Sequence, residues 1–419
     1  MNRIFDRADL LLPQNCDMTK WSVVACDQFT SQPEYWAALE EQCKDVPSTL
    51  HLMLPEAYLS SRDQFEEAKR INAEMDRCLA DGVFRELKDS YVYLERTLRS
   101  GTVRRGLLGV LDLDAYDYSR TSASPIRATE GTVEDRLPPR VRVREGAALE
   151  MPHIMVFIDD PADSVMGMLT GHKSCLPELY DFDLSADGGH IRGWQVSGEA
   201  ADALEKVIDV LADPEMLRAR YGDAAPAIFA MGDGNHSLAT AKKCWEAIKP
   251  TLSEAERQTH PARYGMVELV NIHDDAITFE PIHKVLFGTD PEAFLTEAEA
   301  SFGSLGGVAD TCHVLRLLTA AGEREITVRG LTIGQLIGAA EEFCQRYLAA
   351  HGGKIDYIHN DETAIDMGHR SDGAAVLLPK MEKGELFPSI VRSGPFPKKS
   401  FSIGHAEDKR YYLECRRIR

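Results

Sequence analysis

The amino-acid sequence predicts an α/β protein, mixed α+β in detail, and three observations predict it. Short continuous apolar runs, such as Ile154-Met155-Val156-Phe157-Ile158 and Ala227-Ile228-Phe229-Ala230-Met231, have the length of strands covered on both faces. Other segments carry apolar residues every three or four positions, as a helix with one buried face requires. The two kinds of segment alternate along the chain, which argues for layered strands and helices.

The elements follow in chain order. Val23-Val24-Ala25-Cys26 predicts a buried strand. Pro33-Glu34 then opens a helix, because proline is tolerated in a first turn. Residues 61–80 place Phe65, Ala68, Ile71, Met75 and Leu79 on one helical face, and Asp81-Gly82 stops that helix. Strands over 91–95 and 107–113 pair around the Ser100-Gly101 turn. Residues 119–150 are irregular and rich in Arg and Glu. Within them, alternating Arg140, Arg142 and Arg144 predicts one polar face of a strand. Helices follow over 200–212 and 237–248, the second ended by Pro250. Strands are expected over 264–272 and 276–279. The glycines between Gly303 and Gly307 mark a boundary. Beyond them come a strand near 313–318, a helix near 333–348, and short strands over 356–359 and 374–378. The expected division is a core domain over 1–290 and a carboxy-terminal α+β region over 291–419 packed on it.

Composition narrows the function. Of the 419 residues, 44% are hydrophobic and 27% charged, which suits a globular chain with a sizeable core. The formal charge is −20, and only residues 409–419 are clearly basic. Nucleic-acid binding needs clustered Lys and Arg, so this balance argues against such a partner. The nine cysteines are scattered, odd in number and without a Cys-x-x-Cys pair. That argues against a disulfide framework and a structural zinc site, and for a reducing compartment. No run approaches the roughly 18–20 apolar residues of a membrane span. The opening residues show no secretory pattern. A cytoplasmic protein acting on a small molecule, without a membrane partner, is the expectation.

The chemistry concentrates at Met231-Gly232-Asp233-Gly234-Asn235-His236-Ser237, where an apolar strand runs into an amphipathic helix. Gly232 and Gly234 permit unusual backbone angles and close approach of a ligand. Free N–H groups at a helix start favour phosphate or carboxylate, which brings in Asn235 and Ser237. Asp233 is a candidate proton acceptor or Mg²⁺ ligand, and His236 a candidate acid or base. A plain tight turn capped by Asp233 or Asn235 explains the same residues without function. Neither Gly-x-x-x-x-Gly-Lys-Ser/Thr nor Gly-x-Gly-x-x-Gly occurs at this loop. Gly-Asn-His also belongs to metallophosphoesterases, but their Asp-x-His is absent from the chain. Asp27 ends a buried strand, a favoured place for a substrate contact. Trp194 is the expected core anchor.

Further segments carry a resemblance. The loop resembles the Asp-Gly-His-His-Arg signature of the domain-of-unknown-function 1015 family. Glu130-Gly131-Thr132 followed by Asp135-Arg136-Leu137 resembles its His-Glu-x-Thr and Asp-Arg-Leu segments. Pro281-Ile282-His283-Lys284-Val285 resembles its Pro-x-His-Arg-Val, and Pro397-Lys398-Lys399-Ser400-Phe401 its closing Pro-x-Lys-Ser. Val24-Ala25-Cys26-Asp27 sits where the family has an early strand ending in Asp. The matches keep their order over nearly the whole chain.

That family's central fold is similar to the ParB amino-terminal domain, sulfiredoxin and free-serine kinases, whose loop before the helix holds nucleotide phosphates. The resemblance therefore implies a small-molecule phosphotransferase, acting on a hydroxyl compound such as free serine. A nucleotide or pyrophosphate would be the donor, with Mg²⁺ as cofactor. It implies Glu130, Asp233 and His236 as catalytic groups. Gly232, Gly234, Asn235, Ser237, Arg136, His283, Lys284 and Lys399 would hold the donor, and Asp27 and Ser400 the substrate. The sequence departs from the signature at Asn235, Ser237 and Thr129, where the family has His, Arg and His. Losing the Arg removes a planar, permanently charged fork. Arg127, Arg136 and Lys284 are the candidates to replace it. The alternative is a non-catalytic nucleotide or metabolite-binding protein on the same scaffold.

Overall fold

The computed structural model describes residues 3–132, 134–151, 153–222, 224–404 and 406–419, with the backbone alone at Arg136. An eleven-stranded mixed sheet forms the centre. Its main path runs Glu178–Asp183, His190–Val196, Phe84–Thr97, Val103–Asp112, Tyr264–Asn271, Met155–Ile158, Phe229–Asp233, Ile126–Arg127 and Tyr116–Asp117. The apolar runs become its middle, where Val156, Phe157, Phe229, Ala230 and Met231 are buried as their composition demands.

Three pairings position the site. Phe229–Asp233 lies parallel to Ile126–Arg127 and antiparallel to Met155–Ile158. The carboxyl ends of the first two strands and the amino end of the third therefore meet at one edge of the sheet. A short strand at Val23–Val24 is held there by Tyr411–Tyr412, from the far end of the chain.

The helix Gln64–Ala80 is capped by Asp63, whose carboxylate accepts the N–H groups of Phe65 and Glu66. It buries Ala68, Ile71 and Met75 as predicted. Phe65 does not join them: it is 60% exposed, with the Arg142 guanidinium 3.9 Å from its ring centre. The expected arginine strand is instead a helix, Leu137–Gly146. Prolines in its first turn are tolerated, and the helix packs between Gln64–Ala80 and Asn235–Ile248. Arg140 and Arg144 then lie one turn apart and pair with Glu56 and Glu150.

A second, five-stranded sheet orders as Gly322–Arg329, Cys312–Thr319, Gly373–Leu377, His283–Phe287 and Lys354–Ile358. His283–Phe287 belongs to it, although these residues precede position 290. The end of the chain returns to the first sheet region, where Arg416–Arg417 pairs with Leu149–Glu150. Much of the basic tail is spent in this return, while Arg417 and Arg419 stay exposed. Arg410 reaches Glu268 at 2.9 Å and Glu414 at 2.8 Å, and Arg416 pairs with Glu150. These are buried ion pairs rather than an exposed basic stripe. Among the described residues no helix is long and apolar enough to cross a membrane.

Candidate functional site

At the meeting edge lies a polar cavity of about 130 Å³. Asp27, Glu130, Asp233, Asn235, His236 and Ser237 line it, together with Gly131, Gly234, Arg140 and His153. Sequence reasoning had singled out the first six and Gly234.

The loop geometry explains the glycines. Gly234 has a φ of 76°, and a side chain there would meet the Ile154 Cα at 3.0 Å. At Gly232 a Cβ would lie 2.9 Å from the Phe157 ring, so the strand packs only without one. The following helix, Asn235–Ile248, has no side-chain hydrogen bond at its amino cap. Its first turn therefore faces the cavity with the positive end of the helix dipole uncapped. The Asn235 Oδ1 is buried without a hydrogen-bond partner, an orphan that a ligand donor would satisfy.

Glu130 follows the Ile126–Arg127 strand. Thr129 fixes the segment by donating its hydroxyl to the Met231 carbonyl at 2.7 Å, and the Phe396 N–H donates to the Thr129 carbonyl at 2.7 Å. Burial pushes the Glu130 carboxyl above its usual range, and the charge of Asp233 adds to that. The backbone N–H groups of Ser400 and Lys399 pull in the opposite direction without overcoming it. Lys399 and Ser400 thus serve Glu130 through their main chain. Lys399 adopts a left-handed φ of 58°, and its ammonium sits 4.6 Å from the Tyr357 ring centre. The Ser400 hydroxyl donates to the Pro397 carbonyl at 2.6 Å.

Asp27 faces His153, with Nε2 3.4 Å from its carboxylate, and Gln28 Nε2 donates to it at 2.9 Å. Burial alone would raise Asp27, but the His153 charge and hydrogen bond hold it well below the usual carboxylate range. Burial depresses His153, yet Asp27 and then Asp233 outweigh it and raise the imidazole, favouring imidazolium. His153 Nδ1 meets the Tyr412 hydroxyl at 2.8 Å, which fixes the ring. Asp233 accepts the Gly234 N–H at 2.8 Å and pairs with Lys409 at 3.0 Å. Arg96 and Arg104 bind the Asp408 carbonyl at 3.3 and 2.7 Å and so place Lys409.

Sequence reasoning missed His153, Lys409 and Tyr412, and set Arg140 aside as part of a polar strand face. The available signals were a histidine just ahead of a buried strand and a basic run at the end of the chain. The side chain of Arg136 lies outside the described residues. His283 and Lys284 sit on the second sheet, in other company. His283 Nε2 meets Asp361 at 2.8 Å, and Nδ1 accepts the Leu378 N–H at 3.1 Å. Lys284 is fully buried and paired with Glu341 at 2.7 Å. Arg127 is buried against the carbonyls of Ser124, Ala225 and Ile390. Cys26, in the neighbouring wall, has a thiol pushed up to about 11 by burial, which removes it as a nucleophile.

Asp233, the candidate Mg²⁺ ligand, shares its cavity with the carboxylates of Asp27 and Glu130. The Lys409 ammonium already neutralises that carboxylate, and among the described residues no group of three His, Cys, Asp or Glu side chains is set for a metal.

A family model described as "Protein of unknown function (DUF1015)" matches residues 11–416. The chain belongs to this family. No curated protein matches this DUF1015 member. Its fold is similar to a conserved hypothetical protein from Pyrococcus furiosus, at 9% identity and TM-score 0.31, covering 74% of this chain and 94% of the other. It is similar to a free serine kinase in complex with AMP, at 9% identity and TM-score 0.35, covering 74% and 91%. It is also similar to SbnI with a carboxy-terminal truncation, from Staphylococcus aureus, at 8% identity and TM-score 0.34, covering 71% and 82%.

Proposed function

We propose that this DUF1015 protein is a small-molecule phosphotransferase whose acceptor is a hydroxyl compound. One observation carries the reading. Glu130, a carboxyl raised by burial, shares a polar cavity with the uncapped amino end of the Asn235–Ile248 helix. Phosphoryl transfer needs little covalent help. It needs charge placed around the phosphoryl group and one carboxylate to take the hydroxyl proton.

The roles follow from position. The first-turn N–H groups of the helix face the transferring phosphoryl group, and His153 and Arg140 add positive charge from the opposite wall. The acceptor hydroxyl gives its proton to Glu130. Its oxygen forms the new P–O bond while the donor's bridging P–O bond breaks. The leaving oxygen, a nucleotide's or a phosphate's, keeps the electron pair. Asp27 holds His153 charged, and Asp233 holds the loop through Gly234 and Lys409. Nucleotide and pyrophosphate remain the donor classes.

The test is incubation with a hydroxyl-compound panel and ATP, ADP or pyrophosphate, following phosphorylated product. Turnover lost in Glu130→Gln supports the reading, and no product from any donor sinks it. Ser237, a short neutral side chain where the family has Arg, favours the second reading of a nucleotide or metabolite binder. Donor binding in calorimetry without turnover would establish that instead.

A further inference from the structure

The polar cavity shares part of its wall with a neighbour. A second cavity of about 170 Å³ adjoins it, and Arg140, His153 and Ser237 line both. The second chamber is of the opposite character. Apolar residues such as Leu52, Met53, Met75, Val143, Leu149 and Met151 dominate its wall, contributed by the Gln64–Ala80 and Leu137–Gly146 helices and the segments beside them.

The charged groups at its edge are already matched. Arg140 pairs with Glu56, and Arg144 reaches Glu150 at 2.7 Å. The Tyr412 oxygen accepts the Cys26 N–H at 3.3 Å and meets His153 Nδ1 at 2.8 Å. Thr240 donates to the His236 carbonyl at 2.7 Å. Little is left to read the hydrogen-bonding edge of a nucleobase. Among the described residues its aromatic rings are Tyr412 and His153, and their contact with each other is edge-on, so they do not form a flat stacking platform. An apolar cavity of about 150 Å³ stays dry and accepts a benzene ring. This chamber is of that size and mostly apolar, with charged and polar side chains in part of its wall.

We infer that the chamber holds the apolar body of the acceptor, and that the substrate is an amphipathic hydroxyl compound bearing one ring or a short branched chain. The inference rests on the reading above for which end of the molecule reacts. The hydroxyl-bearing head lies in the polar cavity beside Glu130, and the body passes the Arg140–His153–Ser237 boundary into the chamber. Free serine has a single methylene and leaves the chamber empty.

The experiment uses two matched pairs that share a head and differ only in the body: serine against 3-phenylserine, and lactate against 3-phenyllactate. Calorimetry on the full chain without donor reads binding alone. Burying a ring predicts at least about tenfold tighter binding for the phenyl member of a pair. Val143→Trp fills the chamber and is expected to erase that preference. Met53→Phe serves as the second variant if the first does not fold. Equal binding within both pairs, no binding by any member, or a preference that survives both variants overturns the inference. Selective binding of the phenyl compounds with no turnover from any donor leaves the chamber assignment standing and removes only the phosphotransferase.

Discussion

The two sheets each carry a cluster of buried charge, and the clusters differ in what they leave open. On the second sheet Lys284 meets Glu341, Tyr357 donates to the same carboxylate at 2.8 Å, and both ring nitrogens of His283 have partners. At the edge of the large sheet, Asp27, Glu130, Asp233 and His153 line a cavity, Lys409 pairs with Asp233, and an Asn235 oxygen has no partner. Both clusters draw on segments that carry the resemblance in the sequence. A closed pair stabilises or specifies a fold, whereas unmatched groups around a cavity wait for a ligand.

The largest expected effect comes from Glu130→Gln. Removing a general base should cost about 10²–10⁴-fold in turnover, with the melting temperature kept. Activity preserved in that variant would erase the distinction between the clusters. Lys284→Met should behave in the opposite way. It leaves Glu341 half-buried without its cation, so urea unfolding should show a loss of about 1.5–3 kcal/mol, with turnover per folded molecule unchanged. Gly234→Ala forces a left-handed residue against Ile154, for roughly 1–2 kcal/mol, and should weaken donor binding as well.

Two pH measurements sharpen the comparison. Glu130 acts as a base only when ionised, and its carboxyl is raised. The rate should therefore rise with pH along an acid limb displaced above the usual value of about 4.3. Lys409 opposes that displacement, so Lys409→Met should move the limb further up. The smallest effect concerns Asp27 and His153. The imidazole is raised in the fold, so its contribution is full below about pH 6.5 and fades as pH climbs through the raised value. Asp27 is depressed, so its share persists until pH falls well below about 3.9. The melting-temperature gap between the natural chain and His153→Gln should be widest near pH 5–6 and narrow towards pH 9, a window set by these reference values.

Local chemistry was legible where it is local. The strand-to-helix turn falls within Met231–Ser237 as expected, with the strand reaching Asp233 and the helix starting at Asn235, because apolar runs, glycines and amphipathic spacing act over a few residues. Arg140 shows the limit. Its period-two neighbours suit a strand, but packing between two helices and pairing with Glu56 made the segment helical. The sequence by itself determined the mixed α/β class, the strand–loop–helix unit, and Glu130 and Asp27 as acids worth following. Only the tertiary structure decided that His153 joins them, because the Met155–Ile158 strand runs antiparallel to Phe229–Asp233 and brings its beginning to the other's end. It also decided that Lys409 and Tyr412 arrive from the far end of the chain, and that His283 and Lys284 do not. Strand order and direction are set by the packing of whole faces, which no short stretch of sequence encodes.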